Sequence, residues 1–274
     1  MMTRYNWLII AMIISLVATS LYITHNSHHN IAYFFNPLGL FIVIIGTLGA
    51  LFLSYSSGDI VASLRVAKNS LTVKPPTTDE VVNTLMDLSV RTRRKGILAL
   101  ENVEEETTVS FLRRALEMLV DAYSANELRD ILYTEMHYFR ERRAHQERVF
   151  RHAARLAPAF GVMGSVIGLI SMLTVFEQSD LVMQNMATAL TSILYGILLG
   201  SFILTPIAEN INAKTEKELM MQRLVTDGVM AIQSEQNSLR LSKKLESFLT
   251  PAARQASQHS IEEIRERVRK LQSE

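Results

Sequence analysis

Long uncharged apolar runs alternate with charged stretches along this chain. A helix needs about 20 predominantly apolar residues to cross the hydrocarbon core of a bilayer. Four runs approach or reach that length: residues 7–23, 37–55, 156–176 and 183–208. None of them contains Asp, Glu, Lys or Arg before its ends. The pattern therefore predicts four transmembrane helices, of which the first is the shortest.

The distribution of Lys and Arg predicts how these helices are oriented. Residues 58–155 contain 16 Lys and Arg, and the chain after Ala208 contains 11 more. The connections 24–36 and 177–182 contain none. Because cytoplasmic loops carry the excess of basic residues, we expect both termini and the long middle loop to lie in the cytoplasm.

The segments outside the spans are predicted to be helical. In the middle loop, N-cap residues at 77–79 precede a helix over 81–91. Leu112, Ala115, Leu119 and Ala122 recur at helical spacing within 110–124. A charge-rich helix over 127–151 is expected to continue into the third span without a break, and a further helix is expected over 209–236.

The predicted fold class is an all-α membrane protein with four transmembrane helices and a helical cytoplasmic domain. Its predicted divisions are 1–56 (helices one and two with a periplasmic loop), 57–155 (cytoplasmic domain), 156–208 (helices three and four) and 209–274 (cytoplasmic helices and tail).

Composition supports a chain divided between bilayer and water. Hydrophobic residues make up 48%, and the mean hydropathy is +0.15. The net charge of +1 indicates no nucleic-acid partner. The absence of cysteine excludes disulfides and thiolate metal sites. His25, His28 and His29 cluster in one loop, where a plain polar loop is favoured over a metal site. The tail 260–274 has the pattern of an amphipathic helix, with a frayed tail as the alternative.

No enzyme motif is present, and the glycines of the spans have a simpler explanation. Small residues four apart allow transmembrane helices to approach closely. Gly161, Gly164 and Gly168 supply such positions in the third span, and Gly196 and Gly200 supply them in the fourth. Helix packing is therefore the first interpretation of this pattern, and no catalytic residue is predicted.

Hydroxyl groups form a second pattern within the spans. Thr188, Thr191, Ser192 and Tyr195 fall on one face of the fourth span, and Ser165 lies in the middle of the third. Two interpretations stay open, because such hydroxyls either bond between helices or line a wet path in which they replace the hydration of an ion. No span contains a carboxylate, so a partner must supply the charge if protons or Na⁺ are carried.

Two prolines lie near the predicted cytoplasmic ends of the third and fourth spans. Pro158 and Pro206 each leave a backbone carbonyl without its helical donor and favour a kink. Such kinks would suit levers that transmit movement to the cytoplasmic helices, and static bends are the alternative.

Four segments carry a resemblance to a known family. They are RRKGILALE at 93–101, LAPAFGVMGSVIGLI at 156–170, ALTSILYG at 189–196 and DGVMAIQ at 227–233. With them, nearly the whole chain resembles the A subunit of the bacterial flagellar stator, the MotA/PomA family. The resemblance implies a homopentamer in the inner membrane around a dimer of a B subunit, which supplies the ion-carrying Asp. Flow of Na⁺ or H⁺ would rotate the pentamer against the rotor protein FliG, with no enzymatic activity and no cofactor.

The resemblance also implies roles for particular residues. Arg93 and Glu101 match a charged rotor-contact pair, and Glu104 matches a further acidic position. These first two lie eight residues apart, on neighbouring turns if the stretch is helical. Pro158 and Pro206 match two prolines tied to torque generation.

Two substitutions bear on the transported ion and point in opposite directions. PomA has Thr where this chain has Ser165, whose hydroxyl can still coordinate Na⁺. The family has a second Thr where this chain has Ile193, which cannot. The choice between Na⁺ and H⁺ stays open, with a slight balance toward Na⁺. The alternative function is an ExbB/TolQ-like or other non-flagellar motor subunit, although those chains usually have three spans.

Overall fold

The computed structural model describes residues 35–72, 77–100, 110–234, 241, 243–245 and 247–248, with the backbone alone at 93–95, 98 and 99. All regular elements in these ranges are helical, which confirms the predicted all-α class. The first predicted span, the loop with His25, His28 and His29, and the tail 260–274 lie outside the described residues.

Seven α-helices occur in the described part of the chain. They are α1 Pro37–Ser54, α2 Ser57–Thr72, α3 Thr78–Lys95, α4 Ser110–Val120, α5 Ala125–Thr174, α6 Ser179–Ile197 and α7 Thr205–Gln233. A 3₁₀-helix at Ile97–Leu100 follows α3, and a π-helix at Leu198–Leu204 joins α6 to α7.

Three helical stretches are long and apolar enough to cross a membrane: Pro37–Ser54, Ala125–Thr174 and Ser179–Gln233. They correspond to the second, third and fourth predicted spans, of which the second and third end one and two residues earlier than predicted. The total of four stays a prediction, since the first span lies outside the described residues.

The longest helix is α5, which has 50 residues and contains Pro158 in its interior. Its first half is charged and its second half is apolar, and no helix-breaking sequence separates them. The expectation that the charged helix continues into the third span is therefore confirmed.

The chain divides into two compact units. The first comprises Met1–Leu64 and Arg148–Ala208. Its small buried cluster contains Leu51, Ile60, Val149 and Ala153, whereas many larger apolar side chains are exposed, such as Leu53 at 91%. Exposed apolar surface on this scale is typical of helices that contact lipid or other subunits.

The second unit comprises Arg65–Glu147 and Glu209–Glu274 and has an ordinary water-excluding core. Leucines from several helices, including Leu85, Leu116, Leu128 and Leu224, are fully buried in it. Ion pairs lie at its surface, among them Arg143 with Glu218 at 3.3 Å and Lys244 with Asp227 at 2.9 Å. Partly exposed pairs of this kind contribute little, so the apolar core dominates the stability of this unit.

Capping explains where α3 begins. The Thr77 hydroxyl accepts from the Glu80 N–H, and the Glu80 carboxylate accepts from the Thr77 N–H. This reciprocal pair satisfies two of the donors that a helix N-terminus leaves unpaired. The helix therefore starts at Thr78, three residues before the predicted start at 81, and one of the predicted caps is confirmed.

The end of α3 decides whether Arg93 starts a continuous helix toward Glu101, the condition under which the two residues would occupy neighbouring turns. Gly96 has φ +76°, in the region that glycine adopts most easily, and its N–H bonds to the Thr92 carbonyl. The α-helix stops at Lys95 and a 3₁₀-helix follows at Ile97–Leu100, so the condition of one continuous α-helix is not met before residue 101, which lies outside the described residues.

The end of α4 also differs from the sequence prediction. The Tyr123 N–H bonds to the Met118 carbonyl and the Ala122 N–H bonds to the Leu119 carbonyl, with Ala122 at φ +59°. These are the two bonds of a Schellman motif, which stops a helix and satisfies its last carbonyls. The prediction that the helix extends to 124 is therefore wrong.

Candidate functional site

The hydroxyl groups of the fourth span are buried in the first unit. Thr188, Thr191 and Ser192 are 7%, 6% and 0% exposed, and Tyr195 is partly buried. The Thr188 hydroxyl donates to the Gln184 carbonyl at 3.0 Å, and the Ser192 hydroxyl donates to the Thr188 carbonyl at 2.7 Å. Thr191 donates to the Ala187 carbonyl at 2.7 Å.

These bonds determine what chemistry the hydroxyls retain. Each proton is committed to a carbonyl one turn earlier in the same helix, so each oxygen keeps lone pairs as an acceptor. Oxygen lone pairs are the groups that replace the hydration shell of a cation. The hydroxyls of Thr188, Thr191 and Ser192 are therefore suited to accept hydrogen bonds or to coordinate a cation, and not to donate hydrogen bonds to another group.

Asn36 binds this face from the neighbouring helix, and the sequence analysis did not identify it. Its Nδ2 donates to Thr188 Oγ1 at 2.5 Å, and its backbone N–H donates to the Tyr195 hydroxyl at 2.9 Å. Its Oδ1 accepts from the Gly39 N–H at 3.1 Å, which makes it the N-cap of α1. The signal available in the sequence was an Asn directly before Pro37, the usual order of N-cap and first helical residue.

Ser192 lies where three helices meet. A Cβ on Gly39 of α1 would lie 2.6 Å from Ser192 Oγ, and a Cβ on Gly164 of α5 would lie 2.9 Å from the same atom. Only glycine fits at these two positions without a shift of Ser192. Ser165, which follows Gly164 in α5, is also buried, with 8% of its surface exposed.

Glycines form the contact between α5 and α6, which confirms the packing interpretation. A Cβ on Gly161 would lie 2.9 Å from the Ser192 carbonyl oxygen, and one on Gly168 would lie 2.8 Å from the Ala189 nitrogen. From the opposite side, a Cβ on Gly196 would lie 2.7 Å from the Ala157 carbonyl oxygen. Backbone therefore packs directly on backbone along this seam.

Pro158 lies on the same seam, opposite Gly200. Because proline has no N–H, the Ala154 carbonyl loses its normal helical donor. A Cβ on Gly200 would lie 2.6 Å from that Ala154 oxygen and 2.9 Å from Pro158 Cδ. Pro158, which interrupts the hydrogen bonding of the third span, therefore contacts the fourth span at Gly200.

The fourth span has its own irregularity at this level. Residues Leu198–Leu204 form a π-helix that includes Gly200, and both the N–H and the hydroxyl of Thr205 bond to the Gly200 carbonyl. Pro206 follows, where it cannot donate to the Phe202 carbonyl. π-Helical turns store a local change of register and are frequent at functional sites.

The predicted rotor-contact residues are described only in part. Arg93 lies in the last turn of α3, and its backbone alone is described. Glu101 and Glu104 lie outside the described residues. No cluster of three or more potential metal ligands occurs in the part of the chain that the structure describes.

These features define a class of protein: a multi-pass α-helical membrane protein whose spans pack through glycine around a buried face of hydroxyl oxygens.

Comparisons with known proteins identify the family. A sequence profile described as the MotA/TolQ/ExbB proton channel family matches residues 103–223. Motility protein A of Treponema phagedenis is 31% identical over 218 residues, which cover 80% of this chain and 84% of that protein. Chemotaxis protein PomA of Vibrio alginolyticus is 28% identical over 225 residues, covering 82% and 88%.

Solved structures agree with these relatives. The flagellar MotAB stator complex from Bacillus subtilis matches with a TM-score of 0.81 and 26% identity, covering 90% of this chain and 97% of that one. C. jejuni MotAB shares the fold with a TM-score of 0.80 at 21% identity. The chain belongs to the MotA/PomA family, within the MotA/TolQ/ExbB proton channels. This is a family of ion-channel subunits and not of enzymes.

Proposed function

We propose that this chain is the A-type subunit of a flagellar stator in the bacterial inner membrane, where it couples inward flow of Na⁺ or H⁺ to torque. The buried hydroxyl face of α6 carries the proposal. It offers oxygen acceptors within an apolar bundle, and the described spans contain no Asp, Glu, Lys, Arg or His before their ends. Such a face can pass a cation only if another chain supplies the charge. We expect both termini to lie in the cytoplasm.

The missing charge is the argument for a partner. The related solved structures are MotAB complexes, which contain a B subunit as well as an A subunit. We propose that a MotB-like dimer binds inside a homopentamer of this chain and presents a carboxylate to the hydroxyl face. Exposed apolar surface on α1 and on the apolar half of α5 supports further helix contacts in the membrane.

The proposed ion pathway comprises Ser165, Thr188, Thr191, Ser192 and Tyr195. The internal bonds of Thr188, Thr191 and Ser192 support this role, because each hydroxyl proton already has an acceptor and leaves the oxygen available. A seryl oxygen at 165 would complement them from the third span. Either Na⁺ or a hydrated proton carrier suits such oxygens, so the geometry favours neither ion.

Torque generation is proposed to use the two prolines. Pro158 of α5 packs against Gly200 of the π-helix that follows α6 and precedes Pro206, so both spans are irregular at this contact. A contact that includes an interior proline and a displaced helical register can change its arrangement at lower cost than regular helices can. Movement at this contact would pass along the helices toward Arg93, Glu101 and Glu104, which are proposed to contact FliG.

The rotor contact is tested by charge reversal. Arg93→Glu and Glu101→Lys should each abolish or strongly reduce swimming, while the amount of assembled complex in the membrane stays at the wild-type level. Arg93→Lys is the matched control, since it changes the side chain and keeps its charge. Normal swimming with both residues reversed, singly and together, would contradict the proposed contact.

The lever is tested by Pro158→Ala. Alanine restores the N–H that the Ala154 carbonyl lacks, so the helix should straighten and the stator should assemble with little torque. Pro37→Ala is the control, because Pro37 occupies the first turn of α1, where a missing N–H has no consequence. Full torque from the Pro158→Ala stator would exclude the lever. Assembly without any motility, for the wild-type chain, would favour the ExbB/TolQ-like alternative.

A further inference from the structure

We infer that Asn36 is a positioning residue of the ion pathway, which holds the hydroxyl of Thr188 in a fixed orientation. The inference rests on the proposed function, because it assigns Asn36 a task in the same pathway. Asn36 precedes α1, whose first residue is Pro37, at the end that the predicted topology places on the periplasmic side. It would therefore act near the entrance of the pathway.

Asn36 is bonded to two helices at once. Its side chain caps α1 through Gly39 and also donates to Thr188, while its backbone donates to Tyr195. The two hydroxyl residues lie 152 and 159 positions further along the chain. Three bonds from one residue thus fix the start of α1 against the polar face of α6.

Only an amide performs both side-chain tasks. The carbonyl oxygen accepts from the cap N–H, and the amide nitrogen donates to the neighbouring hydroxyl. A serine keeps the cap nearly as well but has neither the reach nor the second polar atom. A substitution at Asn36 can therefore remove the contact with Thr188 and leave both the helix cap and the backbone bond to Tyr195 in place.

The contact changes what Thr188 can do. Its hydroxyl proton goes to the Gln184 carbonyl, and one lone pair accepts from Asn36. One lone pair of the Thr188 oxygen remains, in a direction set by the other two bonds. Without the Asn36 amide, only the bond to the Gln184 carbonyl orients the hydroxyl, and a second lone pair needs a donor in a buried site. We expect the affinity of the entrance for the driving ion to change as a result.

The test is a double-variant cycle in cells that swim with this chain and its B partner. Asn36→Ser, Thr188→Val and the double variant are compared with Asn69→Ser, the same substitution at an exposed residue of α2. Swimming speed is measured against external Na⁺ at fixed pH and against external pH at fixed Na⁺, and the complex is quantified in membranes. Each single variant should shift the half-saturating concentration of the driving ion about fivefold, the worth of one hydrogen bond, and the double variant should shift it no further.

Each alternative outcome contradicts a distinct statement. Single-variant shifts that multiply in the double variant would show that the two residues act separately, which overturns the inference. An unchanged half-saturating concentration for Asn36→Ser, whatever the amount of complex in the membrane, would mean that the contact with Thr188 does not affect the ion pathway, which also overturns the inference. A wild-type chain that assembles and never drives swimming would instead refute the proposed function, and the inference with it.

Discussion

Substitution of Gly196 tests the seam between the third and fourth spans most sharply. A Cβ at this position would lie 2.7 Å from the Ala157 carbonyl oxygen, 3.0 Å from Gly161 Cα and 3.1 Å from Pro158 Cα. All three are backbone atoms of α5. No side chain can rotate away to make room, so Gly196→Ala must push the two helices apart.

The size of the effect follows from the shortest of these distances. Ordinary contact begins at 3.4 Å, so the 2.7 Å separation is too short by 0.7 Å (3.4 minus 2.7). Overpacking of a close-packed interface costs about 1–3 kcal/mol. Gly49→Ala is the matched control, because a Cβ on Gly49 of α1 meets no atom within 4 Å. There the better helix propensity of alanine should stabilise by up to about 1 kcal/mol.

The assay is the retention of intact complex after heating. Solubilised complex is heated in steps, and the remaining assembled fraction is measured by size-exclusion chromatography. At about 2–4 °C per kcal/mol for chains of this size, Gly196→Ala should lose several degrees and Gly49→Ala should lose none. Equal midpoints for the two variants would refute direct backbone packing at this seam.

Three further substitutions test local features of the second unit by the same heating assay. Thr77→Ala removes the capping box with Glu80 and should destabilise by about 1 kcal/mol; no change would contradict the cap. Ala122→Gly relieves a left-handed backbone and should stabilise by up to about 1 kcal/mol; destabilisation would contradict the observed turn. Hydrogen bonds from Ser124 to the Glu127 side chain lower the pKa of that carboxyl below its usual 4.5. A carboxyl whose pKa is lowered by folding stabilises the folded state above its unfolded-state pKa, and this stability is lost as the pH falls through the folded-state pKa. Wild type should therefore be more stable than Ser124→Ala at pH 6, and the difference should diminish below about pH 4.5. A difference that does not depend on pH would contradict the bond.

Most of the helical order could be predicted from the sequence, because the signals are local. The apolar run that starts at Pro37 predicts α1 to within one residue of its observed end. The continuity of α5 was predictable because nothing between 127 and 156 breaks a helix. The glycines of the third and fourth spans likewise predicted close packing, since small residues four apart allow transmembrane helices to approach closely.

The end of α4 and the π-helix were not predicted, because both depend on a backbone geometry that the residue types there do not indicate. Ala122 ends α4 in a left-handed conformation that usually calls for glycine, so its helical spacing misled the prediction. The π-helix at Leu198–Leu204 has an apolar sequence with no distinguishing mark apart from the following Pro206. The hydrogen bond of a π-helix, from the N–H of residue i+5 to the carbonyl of residue i, does not produce a recognisable hydrophobic periodicity over so short a segment.

The candidate site was predicted in its residues but not in its connections. Thr188, Thr191 and Ser192 share a face because of helical spacing alone, which sequence supplies. Asn36 joins that face through contacts 152 and 159 residues away, which no local pattern encodes. Long-range polar contacts of this kind require the packed structure.

The most direct test of the central claim is the swimming speed of cells that depend on this chain and its B partner, measured in Na⁺ and in K⁺ buffer at fixed pH. An ion-driven stator predicts that speed either falls when Na⁺ is replaced by K⁺, or is insensitive to that exchange and collapses when a protonophore is added. The first result assigns Na⁺ and the second assigns H⁺. Speed that withstands both treatments, or an assembled complex that supports no swimming, would contradict the claim that this chain converts ion flow into flagellar torque.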